Sequence, residues 1–227
     1  MMEWIDLGNP RPRPEPRRYT PVVWPNGMLI PLSSETGIED HGGPFINLAL
    51  QRRTRREFSI LSLEMLGALT WITCRSQQLG SNDLGFPVSR RPCPSAGAIH
   101  PIHLLVVMPD DDRWYRYHPE SHALQEVPSS VGARTVANAM QEVLTAPAAT
   151  LLILAAEPGK TSAKYDAAAS LVWRDAGVML GFLAMAAQAL DLSFCPLGVT
   201  GEPWVSQLVD QSGLVGVGAA FVGSTPP

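Results

Sequence analysis

The chain has 227 residues, 45% of them apolar and 17% charged, with a net charge of −4. That is enough for one domain with a real core, in a globular rather than a disordered composition. The acidic balance gives no electrostatic reason to expect nucleic acid or an anionic membrane as partner, and Cys74, Cys93 and Cys195 are too few and scattered for a disulfide framework or a structural zinc site.

Residues 1–6 show no basic stretch followed by an apolar one, so a soluble cytoplasmic protein is expected. Residues 9–31 hold seven prolines interleaved with Arg11, Arg13, Arg17 and Arg18. This composition predicts an extended arm, residues 1–43, without packing of its own, laid on a partner subunit or unordered. The folded domain is expected over 44–227.

Pro44 suits the first turn of a helix through Phe45, Ile46, Leu48 and Leu50. Ser62 suits an N-cap, with Glu64 in the first turn and Leu63, Leu66, Leu69 and Ile72 on one face. The apolar runs 102–108 and 150–156 read as buried strands. Residues 114–117 and 123–127 flank a proline turn and read as a hairpin. Residues 131–144 predict a helix with Val136, Met140, Val143 and Leu144 on its apolar face. Residues 176–190 are apolar nearly all round, which predicts a helix buried on several sides, in part against a second subunit; fifteen residues are short for a membrane span. Thr200-Gly201-Glu202-Pro203 opens a helix that should close at Gly213, and residues 215–222 form a last strand. Interleaved strands and helices give an α/β or α+β class.

Two clusters attract attention. Arg52-Arg53-Thr54-Arg55-Arg56 ends a helix and offers several guanidinium groups and a hydroxyl to a phosphate; the plain alternative is a solvated basic face. Pro94-Ser95-Ala96-Gly97-Ala98-Ile99-His100-Pro101 has small residues between prolines, letting backbone approach a flat ligand; otherwise it is a tight loop before a strand. The only lysines are Lys160 and Lys164, the candidates for any basic side chain that must release a proton. The pairs His100/His103 and His118/His122 present no two rings on one helical face, and the glycines of 213–223 lack a dinucleotide-binding context.

The Pro94–Pro101 segment before an apolar strand resembles the flavin loop of the nitroreductase superfamily, and more closely that of its SagB-type branch, the azoline dehydrogenases of peptide natural-product biosynthesis. Arg52–Phe58 resembles the family's phosphate motif with Thr54 in place of serine. Trp114–Leu124 is similar to its hairpin, Lys164-Tyr165 to the branch's catalytic pair, Asp175–Leu192 to its long helix, and Cys195-Pro196-Leu197-Gly198 to a loop over the flavin.

The resemblance implies an α+β homodimer with a central, mostly antiparallel sheet, flanking helices and a long buried interface helix, binding FMN between subunits. By position, Arg52, Arg53, Thr54 and Arg56 would hold the phosphate. Pro94, Ser95, Ala96 and Gly97 would line the ribityl chain and ring, and Pro196, Leu197 and Gly198 would lie against the isoalloxazine. Lys164, held neutral, would be the base and Tyr165 its relay or electrophilic partner. The implied activity is oxidation of a peptide-like thiazoline or oxazoline to the azole, beside a cyclodehydratase or other biosynthetic partner. Two alternatives stand: an FMN-dependent nitro- or quinone reductase or other peptide desaturase, and a flavin-free scaffold or peptide-binding subunit. The absence of any basic residue after Arg174 motivates the last.

Overall fold

The computed structural model describes residues 11–32, 45–210 and 213–227. Pro44 and the remaining parts of the predicted arm lie outside them.

The apolar runs build the centre. Strands β1 (Arg11–Pro12), β2 (Leu29–Pro31), β3 (Gln78–Gly80), β4 (Val88–Arg90), β5 (Ile102–Val107), β6 (Trp114–His118), β7 (Ala123–Val127), β8 (Thr150–Ala156), β9 (Tyr165–Asp166), β10 (Leu192–Leu197) and β11 (Val215–Ser224) alternate with helices. These are α1 (Phe45–Gln51), α2 (Leu63–Thr73), α3 (Ala133–Val143), α4 (Pro158–Lys164), α5 (Ala169–Ala189) and α6 (Trp204–Leu208). Seven strands form one sheet in the order β10-β11-β8-β5-β6-β7-β2, every pair antiparallel, so the class is α+β.

Period-two alternation divides β5 and β8 between two cores. Ile102, Leu104, Val106, Leu152 and Leu154 pack with Leu66 and Leu69 of α2 and Val172, Ala176, Met179 and Leu183 of α5. Leu105, Val107, Leu151 and Ile153 pack with Val136 and Met140 of α3 and Val205 and Leu208 of α6. Ser62 caps α2 as its sequence position predicts, accepting from the Met65 amide at 3.1 Å.

Several expectations change. The arm, over residues 11–32, packs on its own chain. β1 pairs with β9; the Arg17 amide donates to Ala163 O; the Val22 amide donates to Glu157 Oε1 at 2.6 Å; the Trp24 ring meets His103 at 4.9 Å. Proline removes amide donors, but the residues between prolines keep theirs, and these make the bonds. Val143 is half exposed and Leu144 lies just past α3. α6 ends at Leu208, well before Gly213.

The long helix α5 has 21 residues, starting earlier than predicted and long and apolar enough to cross a membrane by length and composition. Its inner face, with buried Asp175, packs on the sheet and α2. Its other face is not buried within the chain: Trp173, Val178 and Phe182 are exposed, and Gly177 and Gly181 meet nothing where a Cβ would stand.

Candidate functional site

The segment entering β5 is shaped by one carboxylate. Asp175, on α5 and 7% exposed, accepts from Ser95 Oγ at 2.6 Å and from the Ala96 amide at 3.2 Å. Burial raises its carboxyl and these two bonds oppose the rise. Ser95 Oγ in turn accepts from the His100 amide at 2.9 Å. Between them the chain makes a single 3-10 turn, Ala96–Ala98, in which Gly97 has φ 63°. Ala98 and His100 are also left-handed, at φ 57° and 50°. A left-handed non-glycine residue costs about 1–2 kcal/mol, a cost the Asp175 bonds and the His100 contact offset. The His100 ring bonds Ser89 O at 2.8 Å, and burial with Arg91 nearby pushes it down to about 3.

Gly97 is where Lys164 and Tyr165 arrive. A Cβ built on it would stand 2.9 Å from Lys164 Nζ and 2.9 Å from Tyr165 Oη. Both side chains are half-buried. They reach the loop because α4 ends at Lys164 and the chain turns at once into β9, which β1 holds by pairing. The Arg13 amide donates to Lys164 O, and the Arg13 guanidinium bonds Ser162 O and pairs with Asp166 at 2.7 Å. Gly97→Ala is expected to leave the protein folded, at a cost of about 1 kcal/mol for the backbone. The new methyl displaces the amine and the hydroxyl, whose flexible chains yield, so turnover falls roughly tenfold or more. Thermal melts beside steady-state rates check this.

The arginine cluster follows α1. Arg52, Arg53 and Arg56 are exposed, and Thr54 is half-buried. Arg55 is diverted: it pairs with Asp191 at 2.7 Å and bonds Thr225 Oγ1 at 2.8 Å. Burial pushes the Cys195 thiol up and the nearby Arg56 draws it back, and the Arg55 amide donates to Phe194 O at 3.2 Å. The cluster therefore lies against β10. Pro196 and Leu197, expected in a loop, are the last residues of that strand, which pairs with β11. β10 is an edge strand, where proline's missing amide is tolerated. Gly198 follows directly, exposed and with open space over its α-carbon.

The predicted site residues thus form two groups. Gly97, on one turn with Ser95 and Ala96 and after exposed Pro94, meets Lys164 and Tyr165; the run of Arg52, Arg53, Thr54 and Arg56 meets β10 at Phe194 and Cys195, the residues before Pro196, Leu197 and Gly198. Among the described residues no hydrogen bond or ion pair joins the two groups.

Two residues escaped sequence reasoning as site builders. Asp175 stood out only as an acid at the head of an apolar helix. Glu157, at the end of β8, is 1% exposed and bonds His103 at 2.8 Å and the Val22 amide. Burial alone would raise its carboxyl, but His103, Lys160 and Val22 together hold it near 2. Cys93 beside the loop is buried, its thiol pushed up to about 12 by burial and by Cys74 and Asp175.

The family model described as Nitroreductase family matches residues 49–215. Among solved structures, the chain is similar to an assigned nitroreductase of Ralstonia eutropha JMP134, with 18% identity, 94% of this chain and 98% of that chain covered, and a TM-score of 0.61. It is similar to a chain of the E. coli microcin synthetase McbBCD complex with truncated pro-MccB17 bound, at 19% identity, 78% and 70% coverage and a TM-score of 0.64. An assigned nitroreductase of Desulfovibrio desulfuricans in complex with FMN gives 16%, 82%, 88% and 0.51. At these identities the likeness is one of fold. No curated protein matches the sequence.

Proposed function

Since the chain belongs to the nitroreductase family, we propose that it is a cytoplasmic FMN-dependent oxidoreductase of the SagB type, which oxidises a peptide-like thiazoline or oxazoline to the azole. The observation that carries this reading is the meeting of Lys164 Nζ and Tyr165 Oη at Gly97 of the small-residue loop.

The residues fit the cofactor. Arg52, Arg53 and Arg56 are exposed and in no ion pair among the described residues, so their donors remain available to a phosphate beside Thr54. Gly198 has open space over its α-carbon, which lets a flat ring system approach the backbone there. The separation of the two residue groups supports a homodimer in which each FMN site draws on both chains. So does the unburied apolar surface of α5 together with exposed Phe45, Ile46 and Leu50 of α1.

Aromatising an azoline removes a proton from the carbon next to the carbonyl and a hydride from its ring neighbour. Held by Arg52, Thr54 and Arg56, FMN would supply the hydride acceptor, with dioxygen as the final acceptor of the two electrons. Lys164 takes the proton at Nζ, and Tyr165 Oη relays it or bonds the substrate. Asp175 holds Ser95 and Ala96, and through them the turn that bears Gly97. Arg52, Thr54 and Arg56 bind and orient. The McbBCD likeness supports a biosynthetic partner protein, such as a cyclodehydratase, and a peptide substrate.

A nitro- or quinone reductase fed by a nicotinamide is the second reading, favoured by the fold likeness to the Ralstonia and Desulfovibrio proteins. The purified, desalted protein is expected to show a flavin absorption spectrum, with FMN released on denaturation. Anaerobic bleaching of that spectrum by an azoline peptide and not by reduced nicotinamides is the expected result. Bleaching by nicotinamides alone moves the assignment to the reductase; no flavin, and none taken up, leaves a scaffold subunit.

A further inference from the structure

Behind the Gly97 loop lies a cavity of about 100 Å³ whose walls carry an excess of positive charge. Three cations reach it from three elements. Arg91 comes from the residue after β4, Arg116 from β6, and Lys160 from α4, one helical turn before Lys164. His100, His103 and His118 also line it.

The cations are poorly answered. Arg91 makes one hydrogen bond, Nε to Ser89 Oγ at 2.9 Å, and neither it nor Arg116 has a carboxylate within ion-pair distance among the described residues. Arg116 bonds Gln125 Oε1 through one terminal nitrogen and stacks 4.7 Å from the Trp24 ring centre. Its Nε is buried without a partner. Lys160 is 14% exposed and 3.6 Å from Glu157 Oε2, a carboxylate already bonded to His103 and to the Val22 amide. The one carboxylate in the wall is Glu120, exposed on the turn that closes one end. Burial lowers Arg91, Arg116 and Lys160, with Arg116 brought to about 10, and repulsion from Arg91 adds to the lowering of the other two. His100 and His103 are neutral at pH 7 and add no charge, and burial lowers His118 as well. Glu157 opposes the lowering of Arg116 and Lys160, but three cations face fewer carboxylates, and an anion in their midst relieves the cost of that imbalance.

We propose that this cavity is a binding site for a small oxyanion, a carboxylate or a phosphate-sized ion held by Arg91, Arg116 and Lys160. The volume suits it: at about 30 Å³ per water there is room for about three waters, which admits a carboxylate or a tetrahedral oxyanion. Arg91 and Arg116 carry donor forks matched to such groups. The anion comes either free from solution or as the carboxylate of a bound peptide, entering one helical turn from Lys164.

The test uses the full-length chain and needs no turnover, so its failure is separate from failure of the oxidoreductase reading. Unfolding midpoints are measured in phosphate and in acetate, each against chloride at equal ionic strength, for the wild type, Arg91→Met and Arg116→Met. The wild type is expected to gain roughly 5 °C with a saturating oxyanion, and each variant to gain nothing. In chloride alone Arg91→Met should be as stable as the wild type or more so, since an unpaired buried guanidinium has gone; if that variant does not fold, Arg116→Met carries the comparison. A second arm measures peptide binding by tryptophan fluorescence, comparing a free C-terminal carboxylate with its amide. A tenfold preference for the carboxylate that Arg91→Met abolishes assigns the anion to the peptide; an oxyanion response with no such preference assigns it to solution. Equal shifts in wild type and variants, or no response in either arm, overturn the site.

Discussion

Lys164→Ala is expected to lower azoline turnover by about 100- to 10,000-fold, the usual worth of a general base, while the flavin spectrum and the unfolding midpoint stay close to wild type. The amine sits at Gly97, away from Arg52, Thr54 and Arg56, so its loss should not release the cofactor. Lys164→Arg separates charge from proton transfer. A guanidinium keeps the positive charge but does not give up its proton near neutral pH, so it should be nearly as inactive as alanine. Tyr165→Phe, which removes only the hydroxyl, should cost less if the tyrosine relays a proton and as much if it carries one essential bond. Stopped-flow reduction of the bound flavin by substrate reports these effects on the chemical step alone. Undiminished reduction in Lys164→Ala would remove the amine from the mechanism.

Acid should unfold this protein from well above the usual carboxylate range. His100 and His103 are held down from 6.5, to about 3 and about 4, chiefly by burial. The unfolded chain therefore binds protons that the folded chain refuses. The stability carried by both imidazoles is complete above about pH 6.5; it falls as pH drops toward 4 for His103 and toward 3 for His100. Glu157, held near 2 against 4.5, adds a loss of the same sign between those values. Asp175, which burial raises, contributes in the opposite sense. Each histidine contributes a slope of about 1.4 kcal/mol per pH unit inside its window. Midpoints measured from pH 8 to pH 4 should fall steeply below 6.5, and His103→Gln should make that fall shallower, with His100 and His118, which burial also lowers, keeping the rest. A flat profile would mean that one or both rings open to water before they titrate.

Much of this architecture could be read in advance because the signals are local. The runs at 102–107 and 150–156 are strands because nearly every residue is apolar, as a strand covered on both faces requires. The Ser62 cap lies within three residues of the amide it binds. What escaped depends on distant partners. β10 was hidden by Pro196, harmless on an edge but a breaker to the eye. The β3–β4 hairpin has three pairs, Gln78–Arg90, Leu79–Ser89 and Gly80–Val88, too few for an alternation to show. α4 opens with Pro158-Gly159, a pair that reads as a turn. In the candidate site the four arginines are indistinguishable by sequence, and only the fold shows that Arg55 belongs to Asp191. Arg91, Arg116 and Lys160 are separated by long stretches of chain, so no window of sequence could join them. The resemblance supplied Lys164 and Tyr165, and their meeting with Gly97 is a feature of the fold.

The pairing of the arm with the Lys164–Tyr165 segment also orders events during synthesis. Arg13 binds Ser162, a partner 149 residues later in the chain. The arm therefore waits while 149 further residues are made. A β-prone segment would spend that interval as an adhesive edge. An extended stretch in which proline recurs every second residue from Pro10 to Pro16 has few free amides and little to collapse around, so it stays soluble until α4 and β9 exist to receive it. The long closure comes late, and the same contact that finishes the fold fixes the backbone carrying the amine. Nascent chains halted before residue 160 should accordingly leave the arm open to protease, and those extended past residue 170 should protect it.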